Sequence, residues 1–112
     1  MKKIEAIIRV EKFKEVKDAL EKQGYPGMTK TLIEGHGKQK GLEQQFRGTT
    51  FKVEFIPKLK LEIVVIDEDV PRTLEAIIRG ARTGAVGDGK IFVLPVEAAI
   101  RIRTGDRDES AL

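Results

Sequence analysis

Within residues 83–93, TGAVGDGKIFV, three glycines fall in six positions, and Gly87-Asp88-Gly89-Lys90 sets a carboxylate and an ammonium on a permissive backbone. Successive N–H groups of a glycine-rich loop can point into one concavity, and such nests hold anions. The chemistry on offer is phosphate holding. Gly84 and Gly89, followed by Lys90, also fit the P-loop spacing G-x-x-x-x-G-K. Ile91 stands where a P-loop carries Ser or Thr for magnesium. The stretch also runs from a helical pattern into a strand pattern, the reverse of a P-loop. It is therefore not a Walker motif. A plainer alternative is a tight helix-to-strand connection with Gly84 as helix C-cap. Loop chemistry alone leaves both open.

The elements around this loop follow from periodicity. Residues 3–10 alternate, with Ile4, Ala6 and Ile8 on one face of a strand. Residues 11–23 carry Phe13, Val16 and Leu20 at helical spacing, and Gly24 stops the helix. Residues 28–34 are a second strand, with Thr29, Thr31 and Ile33 on one face. Residues 59–66 are the strongest strand: Leu59, Leu61, Ile63 and Val65 share one face, and Lys60, Glu62, Val64 and Ile66 the other. Asp69 is placed to N-cap a second helix with Pro71 in its first turn, where a missing N–H costs little. Its expected apolar stripe is Val70, Leu74, Ile77, Ile78 and Ala81. Residues 90–96 form the fourth strand. A basic segment, Ile100-Arg101-Ile102-Arg103, and an acidic tail over 106–112 complete the chain.

The order β-α-β-β-α-β in one domain, residues 1–112, predicts an α+β ferredoxin-like sandwich. Right-handed crossovers place both helices on one sheet face. Val64 and Ile66 then lie on the other face, and a second copy of the chain is the cheapest cover.

Composition narrows the function. At 112 residues with 40% hydrophobic content, the chain buries one modest core. It has no Cys, which excludes disulfides, thiolate zinc sites and a cysteine nucleophile. One His, His36, excludes a multi-histidine metal site. A net charge of +3, from 21 basic and 18 acidic residues, does not by itself imply nucleic acid. The segment KKIEAIIRVEKF is too charged and too short for a signal peptide or span, so a cytoplasmic location is expected.

Between the second and third strands, residues 37–54 take 18 positions where a hairpin needs few. Unstructured loops of that length are usually functional or disordered. This one carries Lys38, Lys40, Glu43, Arg47 and Lys52 among Phe46 and Phe51. A mobile arm with charged and aromatic tips suggests partner recognition.

Taken together these residues resemble the PII signal-transduction proteins, in the group that regulates ammonium transporters. The resemblance covers the whole chain. TGAVGDGKIFV fits the family's C-terminal signature without a mismatch, and HGKQKG at 36–41, FIPKLKLEIVV at 55–65 and IRIRTG at 100–105 agree in type and spacing. It implies a homotrimer, a T-loop at about 37–55, a B-loop at about 82–90, a C-terminal loop at about 101–112, and ATP or ADP in clefts between subunits. For the nucleotide it implies Gly87, Asp88, Gly89 and Lys90 on one side of the phosphates. Arg101 and Arg103 of the neighbouring subunit lie on the other side, Thr29, Glu62 and Val64 surround the adenine, and Gly35, His36, Gly37, Lys38 and Gln39 line the same cleft. For 2-oxoglutarate it implies Gly37, Gln39, Lys40, Gly41, Lys58 and Gly87, with Lys58 on the distal carboxylate. Gln39 is the expected protein ligand of Mg2+, which also takes oxygens from ATP and 2-oxoglutarate. Arg47 is expected to plug a transporter's cytoplasmic exit, recruiting the protein to the inner membrane face.

The residue types suit this chemistry. A triphosphate with a dicarboxylate needs converging Lys and Arg. Magnesium prefers oxygen ligands, few from protein and several from phosphate, and Gln39 offers a neutral one. One departure matters. Where the family has a motif like Y-R-G-x-x-Y, this chain reads Phe46-Arg47-Gly48-Thr49-Thr50-Phe51, and Phe51 has no hydroxyl to modify. Control by ligands alone is expected. Two other classes fit worse. An RNA-recognition sheet needs aromatics on its central strands, and KLKLEIVVI has none. An acylphosphatase on this fold would be expected to use Asn, which the chain lacks. Slow ATP hydrolysis stays open; no nucleophile–base set points to any other catalysis.

Overall fold

Alternation in KKIEAIIR builds strand β1, Lys2–Arg9. Ile4, Ala6 and Ile8 are buried, while Lys3, Glu5, Ile7 and Arg9 take the opposite face. The computed structural model describes residues 1–25, 27–36, 43–46, 49–52 and 55–112. The remaining strands of the main sheet are β2 (Thr29–Gly35), β5 (Ile56–Val65) and β6 (Gly89–Pro95). The sheet order is β2-β5-β1-β6, and every pairing is antiparallel. This is the expected ferredoxin-like arrangement, with β1 and β5 at the centre.

Helices α1 (Phe13–Lys22) and α2 (Val70–Ala81) pack together on the face that presents Ile4, Ala6, Ile8, Leu61, Ile63 and Val65. A 3-10 turn, Val10–Lys12, precedes α1 where a continuous helix was expected. Gly24, at φ +84°, ends α1 in a Schellman motif. The Tyr25 N–H reaches Leu20 O at 3.2 Å and the Gly24 N–H reaches Glu21 O at 3.0 Å.

The second helix departs from expectation in two ways. Asp69 occupies the N-cap position with Pro71 in the first turn, but its side chain makes no cap hydrogen bond. Its carboxylate pairs with Arg72 at 3.2 Å instead, and its carbonyl accepts the Thr73 hydroxyl at 2.8 Å. The buried stripe is also rotated. Thr73, Ala76, Ile77 and Ala81 are buried, Val70 and Leu74 are partly buried, and Ile78 stays 39% exposed. Gly80 explains the rotation. A Cβ there would lie 2.8 Å from Val16 Cα, so the helices touch through Gly80 and turn Thr73 inward. Thr73 tolerates burial because its hydroxyl is satisfied within the helix.

The arm was expected to lack secondary structure. Two short strands, β3 (Glu43–Phe46) and β4 (Thr49–Lys52), instead pair antiparallel as a separate sheet. Thr49, Thr50 and Phe51 favour strand, and a two-residue Arg-Gly spacer suits a hairpin. Gly37, Lys38, Gln39, Lys40, Gly41 and Arg47 lie outside the described residues. β5 starts at Ile56, earlier than expected, and pairs it with Gly35. The expected uncovered face is present: Val64, Phe92 and Leu94 are 36%, 48% and 38% exposed.

In an open helix position Gly→Ala stabilises by about 1 kcal/mol. At Gly80 the added carbon meets backbone. Gly80→Ala should therefore destabilise, by about 1–3 kcal/mol, as overpacking does. Scanning calorimetry should show a midpoint several degrees lower; a raised midpoint would mean that the helices separate freely.

Candidate anion-binding site

The loop between α2 and β6 starts where α2 stops. The helix ends at Ala81, and Arg82 at the C-cap is already extended, with φ −70° and ψ 129°. Gly84 is thus not the C-cap; it takes φ +89° two residues further on. The cause is Asp88. Its carboxylate accepts the Thr83 N–H at 2.8 Å and the Gly84 N–H at 2.9 Å, together with the Thr83 hydroxyl. The Arg9 Nε–H completes the set at 3.2 Å. These donors, the Thr83 hydroxyl first, hold the Asp88 carboxyl far below the usual carboxylate range.

Gly87 and Gly89 take φ +104° and +109°. At Gly89 any Cβ would fall 1.8 Å from Ile7 O, so only glycine lets β6 begin alongside β1 there. Lys90 follows on the open face, exposed and without an ion-pair partner among the described residues.

A second set of residues reaches the loop from the arm's root. Lys58 donates from Nζ to Gly87 O. It is only 8% exposed, and burial first, then Arg9, pushes its pKa down. Its stem needs Gly35, where a Cβ would meet Lys58 Cγ at 3.3 Å. Just beyond, the rings of His36 and Phe55 sit 5.6 Å apart and tilted by 51°. Gly35, His36, Lys58 and residues 87–90 therefore meet at one end of the sheet.

The other expected residues gather elsewhere. Thr29, Glu62 and Val64 line a cleft of about 960 Å³ shared with Tyr25, Asp69 and Leu112. Lys3 pairs with Glu62, which lowers the Glu62 pKa and raises that of Lys3. Arg101 is bound to Leu112 O at 3.3 Å and to Asp106 at 3.2 Å, so the C-terminal segment adjoins this second end. Arg103 is exposed. The register measures the separation. Val64 stands opposite Lys3, and Gly89 opposite Ile8. At roughly 3.4 Å per residue, Val64 is about 17 Å along the strand from Gly89, and Glu62 with Thr29, opposite Glu5, about 10 Å.

Arg9 and Thr83 escaped the reading of the sequence. Arg9 reads as the last outward residue of an alternating strand, and only the register places it beside the loop. Thr83 had a usable signal: a hydroxyl and a carboxylate flanking a glycine-rich turn can cap one another's backbone.

The model of the family Nitrogen regulatory protein P-II matches residues 1–106. The chain is 53% identical to the nitrogen regulatory protein P-II of Haemophilus influenzae over 112 residues, which is all of both chains. It is also 53% identical over 112 residues to the protein of that name from Nostoc punctiforme, again covering both fully. Nitrogen regulatory protein P-II 2 of Methanothermobacter thermautotrophicus is 49% identical over the whole of this chain and 97% of its own.

The low pKa of Asp88 has a definite sign for stability. As pH falls, the unfolded chain takes up that proton before the folded loop does. The contribution is complete above the ordinary aspartate value, about 4, and fades below it. The difference in urea midpoint between wild type and Asp88→Asn should thus be constant near neutrality and shrink as pH drops from about 4 toward 2. A difference independent of pH would contradict a charged carboxylate inside the loop.

Proposed function

Because this chain belongs to the P-II nitrogen regulatory protein family, we propose that it is a signal transducer that binds ATP or ADP between subunits of a homotrimer. Mg2+ and 2-oxoglutarate are its further effectors, and an ammonium transporter is the target of its arm. The relatives are named as regulatory proteins, and the reading is of a ligand-gated switch rather than an enzyme.

The observation that carries this reading is the division of the expected nucleotide residues between two ends of one sheet. Along the strands, Gly89 lies three residues from the level of Thr29 and Glu62 and five from that of Val64, roughly 10 and 17 Å. Arg101 stays with the latter group. A second copy that lays its C-terminal segment against the first copy's loop brings Arg101 and Arg103 to the far side of the phosphates. Exposed Val64, Phe92 and Leu94 give such a copy an apolar face to cover.

Each residue then has a task. The loop N–H groups and Lys90 meet the phosphates. The buried Lys58 ammonium, held next to Gly87 O, takes the distal carboxylate of 2-oxoglutarate. Burial strengthens that pairing, since the ammonium is already stripped of much of its water. Gln39 would hold Mg2+, which shares oxygens among ATP and 2-oxoglutarate; its neutral amide adds no repulsion there. Pulling Gln39 inward at one foot of the arm would withdraw Arg47 from the transporter. ADP lacks the third phosphate and would leave the arm free to dock. No helix among the described residues is long and apolar enough to cross a membrane; contact with a membrane is proposed to run through the transporter. The central strands β1 and β5 carry no aromatic on the open face; Phe92 sits on the edge strand β6, which gives RNA little to stack on.

Calorimetry with ATP, ADP and 2-oxoglutarate in all combinations tests the switch. Expected are nucleotide binding alone, and 2-oxoglutarate binding only with MgATP present. Lys58→Met should abolish 2-oxoglutarate binding while ATP still binds, no more than about tenfold more weakly, and Lys90→Ala should weaken ATP binding about tenfold, the loss expected for one charge-assisted contact of roughly 1.4 kcal/mol. Binding of 2-oxoglutarate without nucleotide would rule out the shared-magnesium scheme.

A further inference from the structure

We propose that Arg9 is the positioning residue that aims the loop's N–H groups outward, toward the anion. The inference deepens the nucleotide-binding reading above and rests on it for its ligand.

The argument begins with the peptide plane. In a trans peptide the C=O of one residue and the N–H of the next point in opposite directions. Arg9 donates from Nη2 to Val86 O at 2.9 Å. Drawing that carbonyl toward Arg9 turns the Gly87 N–H away from it. Lys58 does the same to the next plane: Gly87 O is drawn to Nζ, and the Asp88 N–H turns away. Two adjacent planes are thus rotated the same way by two cations behind them. Consecutive N–H groups facing one side make an anion nest, and φ +104° at Gly87 permits it without strain.

A second observation points the same way. Arg9 and Lys58 are direct partners in the β1–β5 register. Like charges directly opposite on one sheet face destabilise the pair. Here the repulsion is offset by the Asp88 carboxylate and the two loop carbonyls above them, and by Glu11 nearby. Removing the loop would leave two cations facing each other, so the loop is held down by the same charges that orient it. Arg fits the post better than Lys because its planar fork serves two acceptors at once, Nε–H on Asp88 and Nη2–H on Val86 O.

The test uses the full chain with Arg9→Gln and Arg9→Lys. In the ligand-free protein, residual dipolar couplings of the Gly87 and Asp88 N–H bonds, which read their orientation, should change in Arg9→Gln, while those of Ile4 and Ala6 in β1 stay as in wild type. ATP and ADP affinity should fall about tenfold, while adenosine affinity stays within twofold. Arg9→Lys, which can still reach one acceptor, should recover about half of the loss on a logarithmic scale. Unchanged couplings at Gly87 and Asp88 overturn the inference, as does equal loss for adenosine and ATP, or altered couplings throughout β1. If wild type binds no nucleotide, the functional reading fails, and the dipolar couplings alone still decide the role of Arg9.

Discussion

One carboxylate, with donors on every side, governs the loop on which the proposed function turns. An acid in an anion-holding loop is a paradox when read along the chain, because its charge opposes the phosphate. The geometry removes the paradox. Asp88 faces inward, where the Thr83 hydroxyl, two backbone N–H groups and Arg9 consume its lone pairs. Its charge is spent on closing the turn. What it leaves facing outward are glycine peptide groups and the Lys90 side chain.

The fold was largely legible because its core rests on alternation and helical spacing. Ile4, Ala6, Ile8, Leu61, Ile63 and Val65 all fall on the face that the period-2 pattern assigns them. The rotated stripe on α2 was not legible. It depends on Gly80 meeting Val16, a close approach between helices that a hydrophobicity pattern cannot encode. The arm strands were missed for another reason. Phe46-Arg47-Gly48-Thr49-Thr50-Phe51 contains a hairpin signal, but the charged residues around it obscured the short alternation. Gly87, Asp88, Gly89 and Lys90 were legible as an anion-holding loop from their own chemistry, whereas Thr29, Lys58, Glu62 and Val64 were legible as site residues only through resemblance. Arg9 was legible in neither way, because its role arises from strand register.

That register also explains why a single chain cannot complete the proposed site. Antiparallel pairing puts the loop at the Ile8 end of β1 and the Glu62–Val64 stretch toward the Lys3 end. The rigid sheet forbids their approach within one copy. Charge follows the same division. Lys58, Lys90 and Arg9 gather at the loop, whereas Glu62 and Glu5 are neutralised by Lys3 at the other end. In the proposed site an adenine edge and a phosphate chain would therefore meet different electrostatic surroundings within one copy.

The connection between loop and arm follows from the same residues. Gly35 ends β2 against the Lys58 stem, and His36 and Phe55 close the arm's two feet over it. Lys58 reaches from those feet to Gly87 O. An ammonium has three donors, so Lys58 can keep the carbonyl while it takes a carboxylate. On the proposed reading, a carboxylate there would restrain the Lys58 stem, which lies close against Gly35. That restraint would act on the arm's feet and on the Gly87 peptide plane together. The proposed coupling between anion and arm would then run through one side chain with two neighbours, and linkage would require it to run equally in both directions.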